Sequence, residues 1–242
     1  MRTLIALLAL AALPACSSSD GKLDTGLKPL EVRCADPTTE AEAWRCGEER
    51  TVECTHAEGG TEEAIYVDGG EACNPDDYQL SDAGPYRPGD HVITITQGDD
   101  AVCESTLHVV DTVPPVAEPH DVALWSPNHK WHELTPADCA DIHDACDADV
   151  DVRFTYVTSD EVADGQGDGH TFPDVEGDCQ TLRVRAERSG GGDGRVYRIG
   201  FRAEDDAGNV TEGECRALVP HDQGGTDAVD SGEAVRLELA CD

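Results

Sequence analysis

The sequence predicts an all-β protein made of two antiparallel β-sandwiches in tandem, stapled by disulfides. Three observations predict this class. Short runs of residues alternate between apolar and polar, cysteines are frequent, and no long segment carries the i, i+3, i+4 apolar spacing of a helix. Alternation puts every second side chain on one face of a strand, so each sheet has one face to bury against a partner.

The chain opens with an export signal. Arg2 gives a positive start, and residues 4–13 form an apolar run too short to span a bilayer as a helix. Small residues then lead to Cys16 in "LALAALPAC", and the chain turns polar directly afterwards. This stretch resembles a bacterial lipoprotein signal, which implies that Cys16 is lipidated and becomes the first mature residue. The alternative is an ordinary secretory signal that is cut after Ala15.

Composition changes and proline divide the rest of the chain. The segment after Cys16 is rich in Ser, Gly and Asp and predicts a flexible tether. In "DTVPPV", Pro114 and Pro115 cannot donate to a β-ladder, so we place a domain boundary there. The predicted divisions are a signal peptide at 1–15, a tether at 16–29, a first domain at 30–112 and a second at 113–242.

Eight segments alternate clearly enough to be predicted as strands, and turns rich in Gly, Asp and Pro separate them. Short strands separated by such turns are typical of a sandwich with one apolar face on each sheet. The predicted strands cover residues 51–54, 64–67, 91–96, 105–110, 152–157, 182–186, 195–203 and 215–219.

The charge balance restricts the partners. The chain has 17 basic and 51 acidic residues, a formal net charge of −34. Phosphate binding needs a basic face, so nucleic acid is excluded as a partner. An acidic excess of this size is typical either of solubility at a crowded surface or of carboxylate loops that hold calcium.

The cysteines predict an oxidising compartment. The chain has 11 cysteines and no C-x-x-C pair, which favours disulfides over zinc once Cys16 is set aside. Five cysteines lie on each side of the boundary, so complete pairing needs a bridge across it or between two chains. We expect Cys241, near the C-terminus, to make that bridge. The ten disulfide cysteines are Cys34, Cys46, Cys54, Cys73, Cys103, Cys139, Cys146, Cys179, Cys215 and Cys241.

Two resemblances to known families rest on quoted motifs. The first domain is similar to PKD-like immunoglobulin-fold modules in "GPYRPGDHVITITQGDDAVCESTLHVVDTVPP". The second resembles immunoglobulin-like modules related to hyalin repeats in "LWSPNHKWHELT", "SDE", "GQGDGHT", "RAERSGGGDGRVY", "DAGN" and "VPHDQ", in that order. The resemblance implies two immunoglobulin-like sandwiches in an exported bacterial protein, and it implies no catalytic activity.

Two acidic loops of the second domain are candidate binding sites. In an immunoglobulin-like topology, residues 141–151 and 204–209 emerge at the same end, which suggests a calcium ion held by Asp147, Asp149, Asp205 and Asn209. The alternative is that these are ordinary polar turn residues. The acidic, glycine-rich stretch 161–170 is interpreted as a solvated connection in preference to a carboxylate cradle.

Histidines and arginines give weaker signals. His129 and His132 suit a turn, with Trp125 and Trp131 anchoring its flanks to the core, better than a metal site. Four arginines alternate on two predicted strands. A hairpin of these strands would gather the four into an anion-binding face, but cross-strand pairing with carboxylates is favoured. The arginines are Arg183, Arg185, Arg198 and Arg202.

The sequence contains no catalytic motif that we recognise, so we expect a non-enzymatic protein. The favoured function is a lipid-anchored module of the outer membrane or cell surface that binds a glycan or protein ligand or serves a structural role. The alternative is a secreted, calcium-dependent accessory protein that binds carbohydrate or protein.

Overall fold

The computed structural model describes residues 29–34, 43–56, 64–68, 70–165, 167–222 and 228–241. The predicted signal peptide and Cys16 lie outside the described residues, as does all of the tether except Pro29. Within the described residues, the regular structure is strands plus three short 3-10 helices, and no helix is long and apolar enough to cross a membrane. The predicted all-β class is therefore confirmed. The 3-10 helices are Gly70–Ala72, Pro75–Asp77 and Pro136–Asp138.

The described part of the first unit contains seven strands in two sheets. One sheet has the order β3-β7-β6-β5 and the other β1-β4-β2. Alternate residues of β6 and β7, such as Ile93 and Leu107, are buried against Ile65 of β4. The strands are β1 (Glu31–Cys34), β2 (Trp44–Arg45), β3 (Glu49–Glu53), β4 (Ala64–Val67), β5 (Tyr78–Leu80), β6 (Gly89–Gln97) and β7 (Asp100–Val110).

Ten strands form the second unit. Its larger sheet has the order β17-β12-β15-β16-β9, and it faces the sheet β10-β14-β13, with β8 and β11 paired separately. Phe154, Ile199 and Leu182 are fully buried between the two sheets. The strands are β8 (Val116–Pro119), β9 (Val122–Ala123), β10 (Trp131–Leu134), β11 (Ala140–His143), β12 (Asp151–Ser159), β13 (Val175–Gly177), β14 (Leu182–Arg185), β15 (Arg195–Glu204), β16 (Val210–Val219) and β17 (Val235–Glu238).

The second unit has the strand arrangement of an immunoglobulin-like sandwich. In chain order, β10, β12, β13, β14, β15 and β16 take the places of strands B to G, so that B, E and D share one sheet and C, F and G the other. β17 adds to the free side of β12, where it continues this sheet. All eight predicted strands overlap observed ones, but β17 was missed although "VRLEL" alternates.

The sheets are not purely antiparallel, in contrast to the prediction. Four pairs run parallel: β1 with β4, β2 with β4, β3 with β7, and β9 with β16. A two-residue hairpin can join only antiparallel neighbours, whereas these partners are far apart in the sequence and are joined by long connections. Local alternation of residues predicts a strand but not the direction of its partner.

The disulfides confirm that one bridge crosses between the two units. The bonded pairs are Cys34–Cys73, Cys46–Cys103, Cys54–Cys146, Cys139–Cys215 and Cys179–Cys241. Two separate clusters of buried apolar residues lie before Asp111 and after Pro115, and Cys146 of the second unit packs against the first cluster.

The expectation that Cys241 makes the crossing bridge was wrong. Cys241 pairs with Cys179 inside the second unit, and Cys54 reaches Cys146 instead. The reason is β17, which pairs with β12 in register from Tyr156 to Ser159 and keeps the C-terminal segment on the second sandwich.

Candidate functional site

The loops at one end of the second sandwich hold a buried polar cluster. These loops are residues 125–130 before β10, 160–174 between β12 and β13, and 186–194 between β14 and β15. Pairing of Trp131 with Arg185 and of Ser159 with Tyr197 brings the three loops to the same end of the two sheets. Most of the motifs that carry the resemblance to hyalin-repeat-related modules lie in or beside these loops.

Arg195 is the centre of this cluster, and its side chain is fully buried. Its Nε donates to Glu161 Oε2 at 3.1 Å, and its Nη1 donates to Asp174 Oδ2 at 2.5 Å. Nη1 also donates to the hydroxyl of Tyr197 at 3.1 Å, and that hydroxyl donates to the carbonyl of Arg185. Burial of a guanidinium requires such partners, because an unpaired buried charge is very costly.

Carboxylates outnumber cations in this cluster. Asp168, Asp174 and Glu187 are at most 5% exposed, and each has one oxygen without a hydrogen-bond partner among the described residues: Asp168 Oδ2, Asp174 Oδ1 and Glu187 Oε1. Burial and the neighbouring Glu187 carboxyl raise the pKa of Asp174 to about 6, although Arg195 acts in the opposite direction. The cluster therefore has more acceptor atoms than its own donors can satisfy.

Two neighbouring loops fix the buried Glu187 side chain. Its Oε2 lies 3.1 Å from Nδ1 of His129 and also accepts a hydrogen bond from the hydroxyl of Thr171. The His129 ring lies directly over Gly169, where a Cβ atom would come within 2.7 Å of its Cε1. The glycine-rich segment thus packs against the rest of the cluster, and the prediction of a solvated connection was wrong for its fully buried Asp168.

Strained backbone is concentrated at this end of the sandwich. Among the described residues, the non-glycine residues with positive φ are His129, Asp164 and His170, all in loops 125–130 and 160–174. Asp and His tolerate the left-handed region better than most residues, and such conformations persist only where the surrounding contacts impose them.

Arg195 was missed at the level of sequence, although its position on β15 carries a signal. Tyr197, Ile199 and Phe201 form the apolar face of this strand, and Arg195 has the same parity. A cation on the buried face of a strand needs carboxylate partners. Glu161 and Asp174 come from the loop between β12 and β13, and Glu187 comes from the loop directly before β15.

An apolar groove lies beside the cluster, between the edge strand β17 and residues 172–175. Its volume is about 190 Å³, and its apolar lining includes Val157, Phe172 and Leu237. Its charged lining residues are Glu161, Asp174 and Arg236. Phe172 is 76% exposed, and Val162, Val235 and Leu237 are also among the exposed large hydrophobic residues of the described chain. Three of these exposed apolar side chains, Phe172, Val235 and Leu237, line the groove.

The predicted calcium loops do meet, but through hydrogen bonds. Oδ2 of Asp147 accepts a hydrogen bond from the backbone N–H of Asp206 at 2.9 Å, and Oδ1 accepts from the N–H of Asp149. Both oxygens of Asp205 accept from Asn209, one from its backbone and one from its side chain. These contacts fit the alternative of polar turn residues, and calcium binding by this set stays a prediction.

Two groups of side chains within the described residues could place three ligand atoms around one metal ion. Asp111, Asp144 and Cys146 form the first, but Cys146 is in a disulfide and offers no thiolate. Asp164, Asp168 and His170 form the second, in the loop between β12 and β13. Neither group contains a member of the predicted calcium set.

The four alternating arginines do not form an anion-binding face. Such a face required β14 and β15 to form a hairpin. That hypothesis was wrong, because the two strands lie in different sheets. Arg183 pairs with Glu176 of the neighbouring strand β13, as the favoured alternative of cross-strand pairing predicted. Arg198 pairs instead with Asp230, which lies outside the strands, and Arg202 pairs with Glu204 of its own strand. Arg185 instead donates to the carbonyls of Pro173 and His129.

The two tryptophans near His129 do not anchor the turn to the core. Trp125 is 44% exposed, and Trp131 lies half-buried under the guanidinium groups of Arg183 and Arg185, at 5.0 and 4.0 Å from its ring centre. Leu124 and Leu134 occupy the core positions instead. A tryptophan in a strand with arginine neighbours gains cation–π contacts at the surface, so alternation of apolar residues did not locate the buried face here.

Similarity to known proteins was found among solved structures. No family model matches the chain, and no curated protein matches it. Among solved structures, a chain from a structure titled "Structural basis for Dscam isoform specificity" is similar with a TM-score of 0.26 and 9% identity. That match covers 65% of this chain and 37% of the other, so the chain spans little more than a third of that protein's length.

Proposed function

We propose that the chain is an exported, lipid-anchored binding module that captures a basic, extended segment of a partner protein along β17. The observation that carries this proposal is the groove of about 190 Å³ beside β17, lined by three exposed apolar side chains. Exposed large apolar residues scattered singly are ordinary on a protein surface, whereas a group of them around a concave site is typical of a binding surface.

The edge of the sheet supports an extended ligand. β17 pairs only with β12 among the described strands, so the backbone groups along its other side are available to an added strand. Val235 and Leu237, which alternate along β17, line the groove together with Phe172. A peptide that adds to β17 would therefore place alternate side chains into the groove.

The charges favour a basic segment. Glu161, Asp174 and Arg236 are the charged residues that line the groove, so carboxylates outnumber cations there, and Oδ1 of Asp174 lacks a hydrogen-bond partner among the described residues. The net charge of −34 attracts basic chains and repels acidic ones at long range. Lysine or arginine beside an apolar anchor residue is the chemistry that this groove fits.

Selection from a displayed library of short peptides tests the groove. The wild-type chain should enrich peptides with a basic residue beside an apolar one, and Phe172→Ser should weaken their binding at least tenfold. Val92→Ser is the matched control, because Val92 is 58% exposed on the first unit, and it should leave binding unchanged. Acidic peptides, or equal binding by Phe172→Ser and wild type, would exclude the groove as the binding site.

The membrane anchor is tested separately on the full chain expressed in a bacterial envelope. Wild-type protein should enter the detergent phase on phase separation, and Cys16→Ala should move it to the aqueous phase, because one acyl-modified cysteine is the predicted attachment. Recovery of both forms in the aqueous phase would contradict lipidation and leave the secreted alternative.

A further inference from the structure

We propose a binding site for a first-row transition-metal dication of the zinc type at Asp164, Asp168 and His170. One carboxylate oxygen from each aspartate and one ring nitrogen of His170 lie within 4.8 Å of one another. All three residues come from the loop between β12 and β13. This site is separate from the groove of the proposed function, although Ala163 and Phe172 of the same loop line that groove.

Asp168 supplies the observation that points to a ligand. Its side chain is fully buried, and its Oδ2 has no hydrogen-bond partner among the described residues. Its other oxygen accepts a hydrogen bond from the backbone N–H of His170 at 3.2 Å, which fixes the carboxylate against the third ligand residue. A buried carboxylate oxygen without a donor is costly unless a cation or a proton satisfies it.

The other two ligands lie at the surface and already touch. Nδ1 of His170 is 2.6 Å from Oδ1 of Asp164, and the two side chains are 82% and 55% exposed. A tetrahedral zinc ion with bonds of about 2.0–2.2 Å holds its ligands roughly 3.3 Å apart, so exposed side chains need to move by only about an ångström. Their exposure also leaves the outer coordination positions open to water.

The ligand set favours zinc-type ions over calcium. Calcium takes six to eight oxygen ligands, whereas imidazole nitrogen with two carboxylates suits zinc and its neighbours in the first row. The surrounding loops hold the ligand loop in place: Gly169 packs on the His129 ring, and Gly167 approaches the backbone of Gly190. Such second contacts orient metal ligands before the ion binds.

Equilibrium dialysis of the untagged full chain against Zn²⁺, followed by metal analysis, tests the site. We expect one ion per chain, with binding at least tenfold weaker in His170→Ala and in Asp164→Asn. Both residues are exposed, so these variants should keep the wild-type circular dichroism spectrum. Asp168→Asn should abolish binding, and its spectrum shows whether the chain still folds.

His108→Ala is the matched control. His108 also contacts an aspartate at 2.6 Å, Asp90, but it lies in the first unit, so its loss should leave the number of bound ions and their affinity unchanged. Phe172→Ser should also bind zinc like wild type, which separates failure of this site from failure of the groove. Visible absorption bands of tetrahedral Co²⁺ that disappear in His170→Ala would place the ion on the imidazole.

Three results would overturn the site. These are no bound Zn²⁺, undiminished binding in His170→Ala, and displacement of Zn²⁺ by an equal concentration of Ca²⁺.

Discussion

Arg195 has a role that its surface counterparts do not share. Its guanidinium is fully buried between Glu161 and Asp174, whereas Arg198, three residues later on the same strand, pairs with Asp230 at a position that is 49% exposed. Removing one partner from a buried ion network leaves uncompensated charge in a medium that solvates it poorly. The same change at the surface loses a contact that water largely replaces.

We expect Arg195→Met to lower the free energy of unfolding by about 3–5 kcal/mol at pH 7, because it leaves buried carboxylates without their cation. Arg198→Met, the control on the same strand, should cost less than about 1 kcal/mol. Urea unfolding followed by circular dichroism measures both. Equal losses in the two variants would mean that the buried network contributes no more than a surface pair.

Among the strands, β15 and β16 form the centre of the larger sheet, and two glycines there make room for aromatic rings. Gly213 of β16 pairs with Phe201 of β15, and Gly200 pairs with Tyr156 of β12. A Cβ atom at either glycine would overlap the opposing ring. Each glycine thus leaves room for the aromatic ring of the paired residue on the neighbouring strand.

Gly213→Ala should therefore destabilise the second sandwich by about 1–3 kcal/mol, the usual cost of forcing extra atoms into a packed site. Gly191→Ala is the control, since a Cβ atom at Gly191 meets nothing within 4 Å and its φ is not positive. Thermal unfolding compares the two variants. The packing argument fails if Gly213→Ala unfolds at the wild-type temperature.

On the scale of the whole molecule, residues 111–115 connect the two units, and hydrogen bonds hold this connection against the second sandwich. The Asn209 side-chain amide donates to the carbonyl of Asp111 at 3.1 Å, and the Thr211 hydroxyl donates to the carbonyl of Pro115 at 2.5 Å. The disulfide Cys54–Cys146 adds a covalent link between the units. Two separate apolar clusters with this link between them predict two bodies whose relative motion is restricted.

A non-reducing digest should yield one peptide pair that joins the two units, through Cys54 and Cys146, with the other eight disulfide cysteines joined within their own units. Replacing both residues by serine should increase the maximum dimension of the protein in small-angle X-ray scattering, because only the 111–115 connection and noncovalent contacts remain. Replacing Cys34 and Cys73, which are bonded within the first unit, should not lengthen the molecule by domain separation. A digest that joins Cys54 to a cysteine of its own unit would contradict the link.

Part of the buried polar cluster around Arg195 could be predicted from the sequence. The motifs around Glu161, Gly167 and Arg195 were recognised as belonging together, and the parity of Arg195 marks a cation on a buried face. Convergence of these residues was not predictable, because Arg195 and Glu161 are held together by a contact across 34 residues. Asp147 and Asp205 show the opposite case. The sequence correctly predicted that their loops meet, but in the structure N–H donors satisfy both carboxylates.

The amino-acid order alone predicted the all-β class and the positions of eight strands. It also predicted at least one disulfide that joins the two units or two chains. These properties follow from local alternation and from counting, since the pleat has a period of two and each sulfur forms one bond. Only the three-dimensional fold decided which strands pair, which cysteines form the crossing bridge and which carboxylates are buried. They depend on hydrogen bonds and packing between residues far apart in the chain, and a local pattern carries no information about such contacts.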